Sequence, residues 1–172
     1  MNTDPLDQGI SCGLSRNSLV MTEPKTVATV SISPTENGKE FYKNNKGQAT
    51  EKSVGWDLYA AVTIVIPPKT TSLVPLGLVV KPQAGTYVKI YARSSLHKQG
   101  LMLANGVGII DPDYCGAGDE LLAPLYNFTD QPVEVARGNR IVQLVVEQAV
   151  YPVVVPFTPK TKSRGGIGSS GI

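Results

Sequence analysis

The feature that most constrains this chain is its punctuation. Short apolar, β-branched runs at residues 62–66, 73–80, 86–91, 121–127, 132–135, 141–146 and 150–155 are separated mostly by Gly, Pro, Asn or Asp. Runs this short, broken this often, predict strands rather than helices. A chain of many short strands buries its apolar faces by closing the sheets into a sandwich, barrel or jelly roll, which also removes long exposed edges. The expected fold class is therefore all-β. The first strand is expected from Thr26, where Ala28, Val30 and Ile32 alternate with Thr29, Ser31 and Ser33, a period of two. Residues 36–52, polar and carrying Asn37-Gly38 and Asn44-Asn45, read as a loop before strands resume near Trp56. The single helix candidate is residues 94–99, where Ser94 can cap the start and Gly100 can end the turn.

The two ends differ from the middle. Residues 1–25 mix Asp, Ser, Asn, Gly and Pro without periodicity, and are expected to be a flexible tail because they offer too little apolar surface to offset the entropy of ordering. Residues 26–159 are expected to form one domain, in keeping with a length of 172 residues. Residues 160–172 form a glycine-rich arm in which Lys162 and Arg164 add charge. Such an arm is either solvated or ordered on a phosphorylated ligand whose oxygens its backbone N–H groups wrap. The formal net charge of +2 is spread over scattered Lys and Arg, so no basic stripe marks a nucleic-acid polymer as a partner. No apolar run is long enough to cross a bilayer, and the N-terminus does not read as a secretory signal. Cys12 and Cys115 lack the spacing of a zinc site. These features fit an intracellular, reducing setting, the cytoplasm or the nucleus, with no membrane partner.

Several clusters can carry chemistry. Arg93-Ser94-Ser95-Leu96 follows a strand and opens a turn, so a guanidinium, hydroxyls and free N–H groups can converge on an anion, or merely cap the turn. Asn105-Gly106 favours a tight hairpin, with Asp111, Asp113 and Tyr114 beyond it; Asp111 is either a general base toward water or part of a polar turn. Asp57 interrupts an apolar stretch and, if buried, needs a cation, for which Arg140 is a candidate. Gln143 interrupts residues 141–146 and needs partners in the core or on a ligand. His97, the one histidine, is expected at the surface.

Taken together in order, GWDLYAA, ARSSL, NGVGIIDPDY, GNRIVQLV and GGIGSSG resemble the motifs of the trimeric dUTPases. The resemblance implies a jelly-roll-like β-barrel forming a homotrimer with swapped C-terminal arms and active sites between subunits. It implies hydrolysis of dUTP to dUMP and pyrophosphate, which supplies a dTTP precursor and keeps uracil out of DNA. Carried over by position, Asp111 activates the water that attacks the α-phosphorus. Asn105, Gly108 and Tyr114 shape the uracil and deoxyribose pocket, with the Tyr114 ring where a 2′-hydroxyl would go. Arg93, Ser94, Ser95 and Gln143 hold phosphates. The arm contributes Arg164, Ile167, Gly168, Ser169 and Ser170, and Asp57 organises Mg2+ through water. Ile167 stands where the family usually has a phenylalanine, and residues 116–121 make a longer connection than is common.

Two other readings compete. The dCTP deaminases share the fold and ARSSL, but need a Glu two residues before a Tyr-Asn pair; Pro124 precedes Tyr126-Asn127 here. A nucleotide-sensing or protein-binding trimer with weak catalysis is the third, and Asp111 weighs against it.

Overall fold

The computed structural model describes residues 27–44, 47–163 and 165. In chain order they form β1 (Val30–Pro34), α1 (Lys39–Tyr42), β2 (Trp56–Tyr59), β3 (Ile64–Ile66), β4 (Thr71–Pro75), β5 (Leu78–Pro82), β6 (Thr86–Ala92), a 3-10 turn (Leu96–Gln99), β7 (Leu101–Leu103), β8 (Gly108–Ile110), β9 (Leu122–Asn127), β10 (Val133–Val135) and β11 (Arg140–Gln148). Every strand pairing is antiparallel, in the orders β1-β5, β3-β10, β2-β11-β6-β8 and β4-β9-β7.

The pattern of burial explains the strands. Along β6, Thr86, Val88 and Ile90 are buried while Tyr87, Lys89 and Tyr91 are partly exposed, so alternate side chains enter the core. Leu58, Leu76, Leu78, Leu121, Leu125 and Ile141 are at most 1% exposed and belong to one core cluster. Burying each such side chain contributes about 1.5–3 kcal/mol. Asn127, fully buried at the end of β9, is satisfied: its amide nitrogen donates to Ile66 O at 3.0 Å and Gln131 O at 2.7 Å, and its oxygen accepts from Thr129. The all-β, jelly-roll-like expectation holds.

Some local expectations do not. Residues 36–52 contain α1, which is far too short to persist alone and is held by aromatic packing. Phe41 stacks on Tyr59 with centroids 5.3 Å apart, and Tyr42 on Trp56 at 5.4 Å. The Tyr42 hydroxyl donates to Leu76 O at 2.6 Å and accepts from Tyr59 N–H at 3.1 Å. Burial pushes its ionisation well above the ordinary phenol range. Residues 73–80 divide into β4 and β5 because the chain turns at Leu76 and Gly77. Gly77 adopts φ 75°, and a Cβ there would lie 2.7 Å from the Gly38 Cα, so only glycine fits.

The Asn105-Gly106 turn is tight but does not close a hairpin. β7 pairs with β9 and β8 with β6, so the turn carries the chain from one sheet to another. Strands β7 and β8 themselves were not anticipated. The turn at Leu96–Gln99 ends as expected at Gly100, whose φ is 75° and whose N–H donates to His97 O, but no serine side chain caps its start. His97 is exposed, as expected. Residues 150–155 have the composition of a strand yet form none; Val150, Val153 and Val154 are 86–90% exposed. Propensity without a neighbouring edge does not make a strand.

On the outer face of β6 and β11, Lys89 Nζ lies 2.7 Å from Glu147 Oε2, and the Tyr87 hydroxyl donates to the same oxygen at 3.1 Å. The hydrogen bond to Lys89 lowers the Glu147 carboxyl below its ordinary range, and the carboxylate in turn raises the Lys89 ammonium.

Candidate functional site

Three neighbouring strands bring the first group of side chains together. In the ladder, Gln143 of β11 stands opposite Asp57 of β2 on one side and Tyr91 of β6 on the other. Arg93 follows the end of β6, tied back by its N–H to Ile141 O at 3.3 Å. Asp57, only 7% exposed, accepts from Arg93 Nε at 2.8 Å through one oxygen and from Arg140 Nη1 at 3.2 Å through the other. The expected Arg140 partner is thus found, and Arg93 is a second one that the sequence reading missed. A buried carboxylate requires such compensation. Arg93 also donates from Nη1 to Arg140 O at 3.2 Å, so two contacts fix its plane. The signal available in the sequence was Asp57 itself, whose burial demands more than one donor.

Gln143 donates to Ala92 O at 3.2 Å. Gly55 lets it lie there, because a Cβ on Gly55 would stand 2.2 Å from the Gln143 side-chain oxygen. Gly55, Asp57, Arg93, Ser94 and Gln143, with Ser53 and its neighbours, line a polar cleft of about 260 Å3. Ser94 is exposed into it. Ser95, half-buried at the foot of the 3-10 turn, lies outside the lining. A guanidinium, a hydroxyl and an amide converging in one cleft can bind an anion with several oxygens.

A larger groove of about 870 Å3 runs beside β1, lined by Val30, Ile32, Val54, Trp56, Leu144 and Val146 among others. Its wall is more apolar than polar, although Ser31, Gln48, Glu51, Lys52 and Ser53 also border it; the smaller cleft holds the Arg93, Ser94 and Gln143 set.

The second group stands elsewhere. Gly108 of β8 faces Ile90, and a Cβ there would be 3.2 Å from Ile90 Cβ and 3.7 Å from the Asn105 amide nitrogen. Asn105 and Gly108 therefore lie side by side. Asp111 follows β8 and is exposed; Tyr114 is 40% exposed, with its N–H on Asp111 O at 3.1 Å. Ile110 pairs with Val88, three positions along β6 from Tyr91, which puts Asp111 at least ~10 Å from Gln143 along the strand direction. Within one subunit, Asp111 and the cleft do not meet. Arg164, Ile167, Gly168, Ser169 and Ser170, like residues 1–26, lie outside the described residues; Lys162 is exposed.

The dUTPase family model matches residues 43–171. The chain is 38% identical over 128 residues to a deoxyuridine 5'-triphosphate nucleotidohydrolase of Lactococcus lactis, spanning 72% of this chain and 85% of the relative. It is 36% identical over 154 residues to the enzyme of that name from Shewanella sp., spanning 86% and 98%. The solved structure of dUTPase from Streptococcus mutans superposes with a TM-score of 0.63 at 29% identity, over 72% of this chain and 99% of that one.

Proposed function

Because the chain belongs to the dUTPase family, we propose that it hydrolyses dUTP to dUMP and pyrophosphate, with Asp111 taking the proton of the attacking water. The observation that carries this reading is the cleft in which Arg93, Ser94 and Gln143 converge beside Asp57. Of the five donors of a guanidinium, Arg93 spends one on Asp57 and one on Arg140 O, leaving the rest for phosphate oxygens at a fixed angle. The Ser94 hydroxyl and the second amide hydrogen of Gln143 complete the grip in the cleft, and Ser95, outside its lining, would join only as the bound phosphates extend toward the foot of the 3-10 turn. Asn105, the Gly108 backbone and Tyr114 form the uracil and deoxyribose pocket. The water attacks the α-phosphorus and pyrophosphate leaves in line.

Among the described residues no group of three or more His, Cys, Asp or Glu gathers to hold a metal, and both Asp57 oxygens already face guanidinium groups. The described residues therefore offer a divalent cation such as Mg2+ no direct ligand set; phosphate oxygens of the substrate would hold it, and Asp57 would reach it only through water. When bound, it neutralises charge spreading over the phosphates.

Separation of Asp111 from the cleft supports a homotrimer in which a neighbouring subunit supplies the base. The exposed apolar residues 150–157 and the apolar groove beside β1 support the same assembly. In this reading residues 26–159 are the body, residues 1–25 a tail, and residues 160–172 an arm that closes over a neighbour's site with Arg164, Ile167, Gly168, Ser169 and Ser170. No helix among the described residues is long and apolar enough to cross a membrane. A role on the DNA-precursor pool suits the cytoplasm or nucleus.

The test is chromatography of products after incubation with Mg2+ and either dUTP or dCTP. Formation of dUMP and pyrophosphate from dUTP alone is expected. A uracil nucleotide from dCTP would move the assignment to deamination, and no product from either would leave a binding module.

A further inference from the structure

Residues 111–120 join β8 to the buried Leu121 without a strand or helix of their own, although they carry the proposed base, Asp111, and the proposed sugar-facing ring, Tyr114. Several bonds fold this segment on itself. Cys115 N–H donates to Asp113 O at 2.9 Å, Gly116 N–H to the Asp119 carboxylate at 2.7 Å, and Asp119 N–H to Gly116 O at 3.0 Å. The Tyr114 hydroxyl donates to the backbone carbonyl of Glu120 at 3.4 Å. None of these reaches the body of the domain. Two links at its end do: Leu121 N–H, in the same peptide unit as the Glu120 carbonyl, donates to Leu78 O at 2.9 Å, and the Glu120 side chain accepts at Oε1 from Gly77 N–H at 2.8 Å. Gly77 is itself fixed, since its carbonyl accepts from Thr35 N–H at 2.9 Å and its Cα packs against Gly38.

We propose that Glu120 is a positioning residue for substrate selection. Its carboxylate anchors the segment to the β4–β5 turn, and its carbonyl receives the Tyr114 hydroxyl, so the height of the Tyr114 ring is set from the core. The inference rests on the reading that Tyr114 faces the deoxyribose. An ionised acceptor on a backbone N–H is a strong tether, and Glu120 is half-buried, where competition from water is reduced. With the tether cut, the ring yields to a 2′-hydroxyl, and preference for dUTP over UTP falls while the chemical step is retained.

The experiment compares kcat and KM for dUTP and UTP in the full-length protein, Glu120→Ala and Glu120→Gln, with thermal melts of each. Glu120→Ala is expected to raise KM for dUTP and to lower the dUTP-to-UTP ratio of kcat/KM, each by about tenfold, with a smaller change in kcat. Glu120→Gln restores both, because its amide oxygen accepts from Gly77. Wild-type KM and selectivity in Glu120→Ala would overturn the proposal. So would equal losses on both substrates that track a lower melting temperature, or failure of Glu120→Gln to rescue. If Glu120→Ala does not fold, Tyr114→Phe removes the other end of the link and is expected to show the same loss of selectivity; unchanged selectivity there also overturns it. Failure of the wild-type protein to hydrolyse dUTP would sink the functional reading instead, and is seen in the same assay.

Discussion

Asp57, Arg93 and Gln143 stand on or beside three adjacent strands whose ladders fix their spacing, whereas Asp111 and Tyr114 stand on a segment without a ladder, exposed to solvent. In the first region the polar groups neutralise one another before any ligand arrives, and the core supports them. In the second the side chains are kept near one another by short local bonds, and no charged group among the described residues forms an ion pair with them. The contrast teaches where stability and activity are coupled. A carboxylate inside the sheet cannot be changed without disturbing the fold, while one on the exposed segment can. In the proposed trimer Asp111 has to project outward to reach a neighbouring subunit, so its exposure is what that reading requires.

The comparison breaks most directly at Asp111. Asp111→Asn is expected to lower kcat roughly a thousandfold with an unchanged melting temperature, read by steady-state kinetics beside calorimetry; hydrolysis at wild-type rate would remove Asp111 from the base role. Removing residues 160–172 is expected to cost about a hundredfold in kcat/KM through lost positioning, again without loss of stability, because the described residues 160–163 are exposed. An arm-free protein with full turnover would refute the closing arm. Asp57→Asn belongs to the other region and is expected to lower the unfolding free energy by about 2 kcal/mol, the cost of leaving Arg93 and Arg140 without their anion, reduced by the partial exposure of both. Urea denaturation measures it, and unchanged stability would erase the distinction between the regions.

The smallest effect is expected at Glu147. Its carboxyl ionises below the ordinary range, so its contribution to stability is present above the unfolded carboxylate pKa and is lost as pH falls through the lower folded value. Lys89, raised by the same pair, contributes below the ordinary lysine pKa and loses that as pH rises through its folded value. Glu147→Gln should barely change the melt at neutral pH, since exposed pairs contribute little, and should flatten its decline in acid. A melting curve that falls in acid as steeply as the wild type would show that the pair is not its source.

Much of this was legible in the residues, for physical reasons. Alternation over residues 28–33 and the Gly and Pro breaks between short apolar runs pointed to the class of fold, since both signals need only local sequence. Asp57 announced a buried ion pair because a lone carboxylate among apolar residues has few other fates. The second partner, Arg93, was not legible, as it depends on β2 and β6 flanking β11 in a particular register. Nor was α1, whose stability resides in contacts of Phe41 and Tyr42 with Tyr59 and Trp56 rather than in its own four residues. The Asn105-Gly106 signal specified a turn correctly and the destination of its strands wrongly, because turn chemistry says nothing about which edge lies nearby. Residues 150–155 misled in the opposite sense, with strand composition and no edge to join.

The placement of β11 between β2 and β6 also sets a timetable for synthesis. A ribosome delivers both flanking strands well before residues 140–148 emerge, so the nascent chain carries two edges with no partner to separate them from other chains. The largest sheet closes only when this inner strand arrives, after every other described strand has been made. Pairings this distant in sequence form slowly. A message cut short before residue 140 therefore encodes no smaller working version of this protein, but a chain lacking the strand on which its sheet is assembled.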